Sequence, residues 1–161
     1  MAGLSHRAQA SVVFEQVLGR WLMNEAGVAR GDDTVVMRWA NAWTTQDTSP
    51  FLTLFAKDAA YCDVALDEVF RGREAIKAFF EGTFVTFRDF RREISRSAVT
   101  GEAAAAEWVM SGAFLGESFG APPTGKLFRV PGCCFMQIVL GQIVEHKDYW
   151  NPSTFDQQVK I

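Results

Sequence analysis

Residues 126–150 read KLFRVPGCCFMQIVLGQIVEHKDYW. Two β-type runs, 126–139 and 143–150, flank a tight turn at Leu140-Gly141-Gln142, so the chain doubles back as an antiparallel hairpin. Upstream, 90–99 and 103–115 are further strand candidates, joined by a turn at Gly101-Glu102 and linked to the hairpin through the loop 120–125. Four successive strands separated by turns form an antiparallel meander. Glycines inside or beside the long strands, at Gly112, Gly116 and Gly132, suit bends in such a sheet.

The segments before the meander are mainly helical. Val13, Phe14, Val17, Leu18, Trp21 and Leu22 fall on one face of a helix over 11–23. Residues 27–31 break that pattern, and Asp33 or Thr34 can cap a second helix whose apolar positions are Val35, Val36, Trp39, Ala42 and Trp43. Ser49-Pro50 opens a short third helix, FLTLFA. From Asp58, AAYCDVAL alternates with period two and EVFRG follows a turn near Asp67, which predicts a hairpin. Residues 73–87 return to helical spacing, with Ile76, Phe79, Phe80 and Phe84 apolar.

Helices segregated beside a mostly antiparallel sheet make an α+β domain. The expected form is a cone-shaped barrel: a strongly curved sheet covered by the N-terminal helices, with a deep apolar pocket inside. One domain is expected over 1–161, with a core at 33–156 and the helix at 11–23 as an addition.

Composition narrows the function. The chain has 161 residues, 48% of them hydrophobic, which suffices for one core and is too short for two. A net charge of −3 leaves no basic field for phosphates, so nucleic acid is not an expected partner. Three cysteines (Cys62, Cys133, Cys134), an odd number with two adjacent, speak against a disulfide framework and for a cytoplasmic setting. No apolar run is long enough for a membrane span, and the N-terminus lacks a signal-peptide pattern. The stretch Gly120-Ala-Pro-Pro-Thr-Gly125-Lys126-Leu127 resembles a phosphate loop, but its prolines remove N–H donors and Leu127 cannot ligate magnesium. Two histidines, His6 and His146, stand far apart, so neither a metal nor a cofactor is expected.

Parity identifies the candidate chemistry. Along 143–150, Val144, His146, Asp148 and Trp150 share one face, while Ile143, Glu145, Lys147 and Tyr149 share the other, which looks solvated. Along 59–66, Tyr61 and Asp63 share a face. A carboxylate on an apolar wall gains proton affinity from lost solvation, which suits it to proton transfer, and a tyrosine hydroxyl can bind a carbonyl or a developing oxyanion. Asp148, Asp63, His146 and Tyr61 are thus the catalytic candidates. Trp39, Trp43, Trp108, Met110, Phe114 and Trp150 are the expected substrate-binding wall.

Three stretches, FAKDAAYCDVALDEVFRGREAIKAFF, AEWVMSGAFLGESFGAPPTGK and LGQIVEHKDYWNPSTF, make the chain resemble the SnoaL-like polyketide cyclase branch of the nuclear-transport-factor-2-like superfamily. Ketosteroid isomerases and limonene epoxide hydrolases belong to the same superfamily. The resemblance implies that Asp63 stands where the isomerases keep a proton-shuttling aspartate. It also places Tyr61 and Asp63 where the epoxide hydrolases hold a tyrosine and an asparagine, and Asp148 in an acid/base position. The chain departs from its relatives elsewhere. Glu107-Trp108-Val109-Met110 lacks the Arg and Asp of the epoxide hydrolases, Trp39 replaces the isomerase tyrosine, no carboxyl occurs at 133–135, and Phe114 stands where many cyclases have histidine.

The implied function is cofactor-independent acid/base catalysis on a hydrophobic polyketide- or terpenoid-like molecule, by cyclisation, isomerisation or dehydration. Asp148 is the expected principal proton acceptor or donor, oriented or assisted by His146, and Asp63 with Tyr61 is expected to handle a second proton or bind an oxygen. Epoxide opening and non-catalytic ligand binding are the alternatives. A homodimer is the expected assembly.

Overall fold

Thr34 starts the described chain, which in this computed structural model comprises residues 34–116 and 122–160. The helix expected over 11–23 lies outside the described residues, as does 117–121 of the Gly/Pro loop. Helix α1, Val35–Thr45, begins where the Thr34 hydroxyl accepts the Met37 N–H at 3.2 Å. It stops at Gln46, whose φ of 58° is left-handed. Val35, Val36, Trp39, Ala42 and Trp43 are buried, as their spacing predicts.

Helix α2 is Thr48–Thr53, and Asp47 caps it by accepting the Ser49 N–H at 3.2 Å. The cap therefore lies two residues before the expected Ser49. Pro50 falls in the first turn, where its missing N–H costs nothing. The FLTLFA stretch does not stay helical, because Phe55 already starts a strand.

Strand β1, Phe55–Asp63, pairs antiparallel with β2, Glu68–Arg71, through a turn in which Asp67 has φ 56°. Helix α3, Gly72–Thr86, buries Ile76 and Phe80. The meander follows as β3 (Phe87–Val99), β4 (Ala103–Phe114), β5 (Leu127–Val139) and β6 (Gln142–Trp150). Helix α4, Pro152–Val159, closes the described chain and buries Phe155 and Val159. It was not anticipated, although Asn151-Pro152 is a cap followed by a first-turn proline, and Asn151 accepts the Ser153 N–H at 2.9 Å.

The molecule is α+β, with one six-stranded sheet in the order β2-β1-β6-β5-β4-β3. Every pairing is antiparallel except β1 with β6, which is parallel. That parallel pair brings the two candidate strands side by side, with Tyr61 opposite His146 and Asp63 opposite Asp148. Parity fails at one point in β6. Ile143, expected on the solvated face, is fully buried. The β5–β6 register slips between Gln137 and Ile138, so two steps on β6 answer one on β5, and the extra residue returns Ile143 to the inner face. Among the described residues no helix is long and apolar enough to cross a membrane.

Candidate active site

Among the described residues five polar or charged ones are buried, Thr34, Asp63, Arg92, His146 and Asp148, the last four on the inner face of the sheet, which α1 and α3 cover. Thr34 caps α1, and the other four, with Tyr61, form the candidate site. Asp148 is its hub. Oδ2 accepts from the Tyr61 hydroxyl and, at 2.8 Å, from Arg92 Nη1, while Oδ1 lies 2.8 Å from His146 Nε2.

Burial alone pushes the Asp148 carboxyl up, but the Arg92 guanidinium, then His146, then the hydrogen bonds, outweigh it and hold the group at about 2. This corrects the expectation that both wall carboxylates gain proton affinity. A carboxylate only accepts, so His146 Nε2 carries the shared proton, and Nδ1 is buried without a partner among the described residues. The imidazole stacks on Tyr61 at 4.2 Å and lies 4.9 Å from the Trp39 ring. Burial and the adjacent Asp148 charge raise the Tyr61 phenol above its ordinary value, so it stays a neutral donor.

Asp63 behaves in the opposite way. It is 3% exposed, and its Oδ1 accepts from Trp150 Nε1 at 2.9 Å and from the Ala65 and Leu66 N–H groups. Lost solvation is the largest influence and raises its proton affinity. The Trp150 hydrogen bond opposes it, Asp148 adds to it and Arg92 reduces it, and the balance is about 6.

A cavity of about 50 Å³ lies against Asp63. Its buried wall includes Trp43, Phe90, Arg92, Met110, Phe128 and Phe155, and the half-buried Leu66, Phe79, Thr83, Phe87 and Trp150 complete it. Of the expected catalytic set, only Asp63 lines this cavity. Tyr61, His146 and Asp148, each fully buried, form a network behind it. Of the expected substrate wall, Trp43, Met110 and Trp150 line it. Trp39, Trp108 and Phe114 do not, being packed at 0–1% exposure: the first two lie over Arg92, and Phe114 lies against Phe87 and Phe155.

Arg92 is the residue that the sequence reading missed. The guanidinium carbon lies 4.3 Å from the Trp108 ring, 4.7 Å from Trp39 and 4.8 Å from Trp43, a three-indole cage for one cation. Its signal was its parity with Phe90 and Ile94, which places it on the inner face of β3 between two apolar neighbours.

Among the described residues, one group has the spacing of metal ligands: Cys134, His146 and Asp148, whose ligand atoms lie within 4.8 Å of one another. It fits a cation poorly. Both Asp148 oxygens are engaged, Arg92 already supplies positive charge, and burial pushes the Cys134 thiol well up, away from the thiolate a metal needs.

The sequence profile of the SnoaL-like polyketide cyclases matches residues 33–159. The chain belongs to the SnoaL-like polyketide cyclase family. Solved structures share the architecture of this family member. A protein with a ketosteroid isomerase-like fold from Catenulispora acidiphila, solved with trimethylamine, is 27% identical over 80% of this chain and 94% of its own, at a TM-score of 0.69. IdmH, a proposed polyketide cyclase from Streptomyces antibioticus, is 23% identical over 77% and 94% of the two chains, at 0.68. AclR, a proposed hydroxylase from Streptomyces galilaeus, is 20% identical over 76% and 80%, at 0.66. The last two likenesses, at such identity, speak for the fold alone. Proposed cyclase and proposed hydroxylase on one fold mean that the site, and not the scaffold, must decide the reaction.

Proposed function

We propose that this SnoaL-like protein is an acid/base enzyme acting on a hydrophobic, carbonyl-bearing small molecule of the polyketide type, with Asp63 as the general base. The supporting observation is that Asp63, with a proton affinity near 6, is the one carboxyl among the described residues on the wall of a largely aromatic cavity. A base matched to neutral pH both takes a proton from an activated carbon and returns it, which is the minimum for isomerisation, aldol closure or dehydration. Asp148 serves in this reading as the fixed anion that holds Arg92, Tyr61 and His146, and not as the principal base.

The sheet is read as curving around this cavity to form the cone. About 50 Å³ accommodates part of a substrate, so the half-buried side chains Leu66, Phe79 and Phe87 must move to admit the remainder.

An aromatic β-keto ester in D₂O tests the base directly. The native protein is expected to speed deuterium entry at the activated carbon, read by mass spectrometry, and Asp63→Asn to lose roughly 10²–10⁴-fold of that rate. Equal exchange by both proteins refutes the assignment. Solvent ¹⁸O in the product of an epoxide-bearing analogue would favour hydrolytic opening instead, and binding without exchange would favour a carrier.

A further inference from the structure

Among the described residues, Arg92 is the sole cation lining the Asp63 cavity. Its contact with Asp148 uses one nitrogen, Nη1, at 2.8 Å, and its buried Nε has no partner. A guanidinium that grips a carboxylate through two parallel N–H groups has its plane set by the ion pair. Here that second bond is missing, and the aromatic rings of Trp39, Trp43 and Trp108 set the plane instead.

The nearest ring depends on a neighbour. Trp108 on β4 is registered with Gly132 on β5, and a Cβ at Gly132 would fall 2.3 Å from Trp108 Cη2 and 2.6 Å from Cζ3. The backbone of Gly132 is not left-handed, so space for the indole, and not φ, is what requires glycine there. The result is a rigid cation with unspent donor capacity in the same cavity as the base. Buried donors without partners favour an incoming acceptor, and preorganised charge stabilises an oxyanion more than a neutral carbonyl.

We propose that Arg92 is the electrophile of this cavity, binding the substrate's carbonyl oxygen, and that Trp108 and Gly132 are the positioning residues that seat it. This rests on Asp63 acting as the base. The C–H bond next to the carbonyl breaks, its proton goes to the Asp63 carboxylate, and its electron pair moves onto the oxygen as an enolate beside Arg92. Return of the proton from Asp63 to another carbon, or attack of the enolate carbon on a second carbonyl followed by transfer of that proton to the new alkoxide oxygen, then restores the carboxylate without an oxidant or reductant.

The test uses 2-naphthol, whose conjugate base carries its charge on one oxygen of a planar ring and is read by its own absorbance. Asp63→Asn is the background, because it mimics the base after it has taken the proton. Bound 2-naphthol is expected to ionise at least one pH unit below free 2-naphthol, and to lose that shift when Arg92→Met and Asp148→Asn are added together, a pair that removes both charges and leaves neither buried alone. Gly132→Ala and, should it fail to fold, Trp108→Phe are expected to cost most of the shift while neutral 2-naphthol binds within about threefold. Binding with the same ionisation in every variant overturns the role of Arg92 alone. An unchanged shift in a folded Gly132→Ala or Trp108→Phe protein overturns the positioning role. Failure of 2-naphthol to bind the Asp63→Asn protein overturns the cavity as a substrate site, and the base assignment with it.

Discussion

Replacing Asp63 by Asn should make the protein more stable at pH 8 and leave it unimproved at pH 4. Folding raises this carboxyl from its usual 3.8 to about 6, so the folded state is favoured by the protonated form. The corresponding stability is fully present below 3.8 and is lost as the pH rises through about 6. At about 1.36 kcal/mol per pH unit, ionised Asp63 costs the fold about 3 kcal/mol above pH 7. Asparagine avoids that cost. Its carbonyl oxygen can replace Oδ1, which accepts from Trp150, Ala65 and Leu66, although its amide cannot accept the second, 3.1 Å contact from Trp150 to Oδ2. The expected gain at pH 8 is therefore about 2 kcal/mol, after about 1 kcal/mol for the lost contact. Urea denaturation of both proteins at half-unit steps from pH 4 to 8.5 measures it. The variant should gain on the native protein mainly between about pH 4 and pH 6.5, the interval from the unfolded to the folded value, and the difference should level off above it. A stability difference that does not change with pH would show that burial does not hold the proton on Asp63, and would remove the case for it as a base tuned to neutrality.

Two further outcomes follow from the buried network and the sheet's outer face. Arg92→Met and Asp148→Asn should each cost about 3–5 kcal/mol by denaturation, because each leaves a charge buried without its partner, and the double variant should cost less than the two together. Strictly additive losses would show that the ion pair is not the link. Phe135, Val139 and Tyr149 lie 42–49% exposed on the outer side of β5 and β6, where a second copy of the chain is the expected cover. Sedimentation should give a dimer at micromolar concentration and a folded monomer for Phe135→Glu with Val139→Lys; a native monomer would refute it.

The sequence alone determined the elements whose cause is local. The apolar spacing of α1, the turn at Asp67 and the four-strand meander follow from periodicity and turn chemistry, which act over a few residues. That Tyr61 and Asp63 share a face of β1, and that His146 and Asp148 share a face of β6, followed from strand parity for the same reason. The bulge that buries Ile143 was not legible, because a register slip is a property of the β5–β6 pairing and not of either strand.

The tertiary structure decided which carboxylate has the higher proton affinity. Asp63 and Asp148 look alike along the chain, and solvation loss pushes both upward. They part because Arg92, 56 residues from Asp148, reaches one oxygen of that carboxylate at 2.8 Å, while Asp63 meets mainly N–H dipoles. Charge interactions fall with distance through a low-dielectric interior, and sequence does not encode that distance. Composition and parity could nominate a pair of aspartates; only the parallel β1–β6 pairing, the Arg92 ion pair and the three indoles around it separate a carboxyl raised to about 6 from one held at about 2.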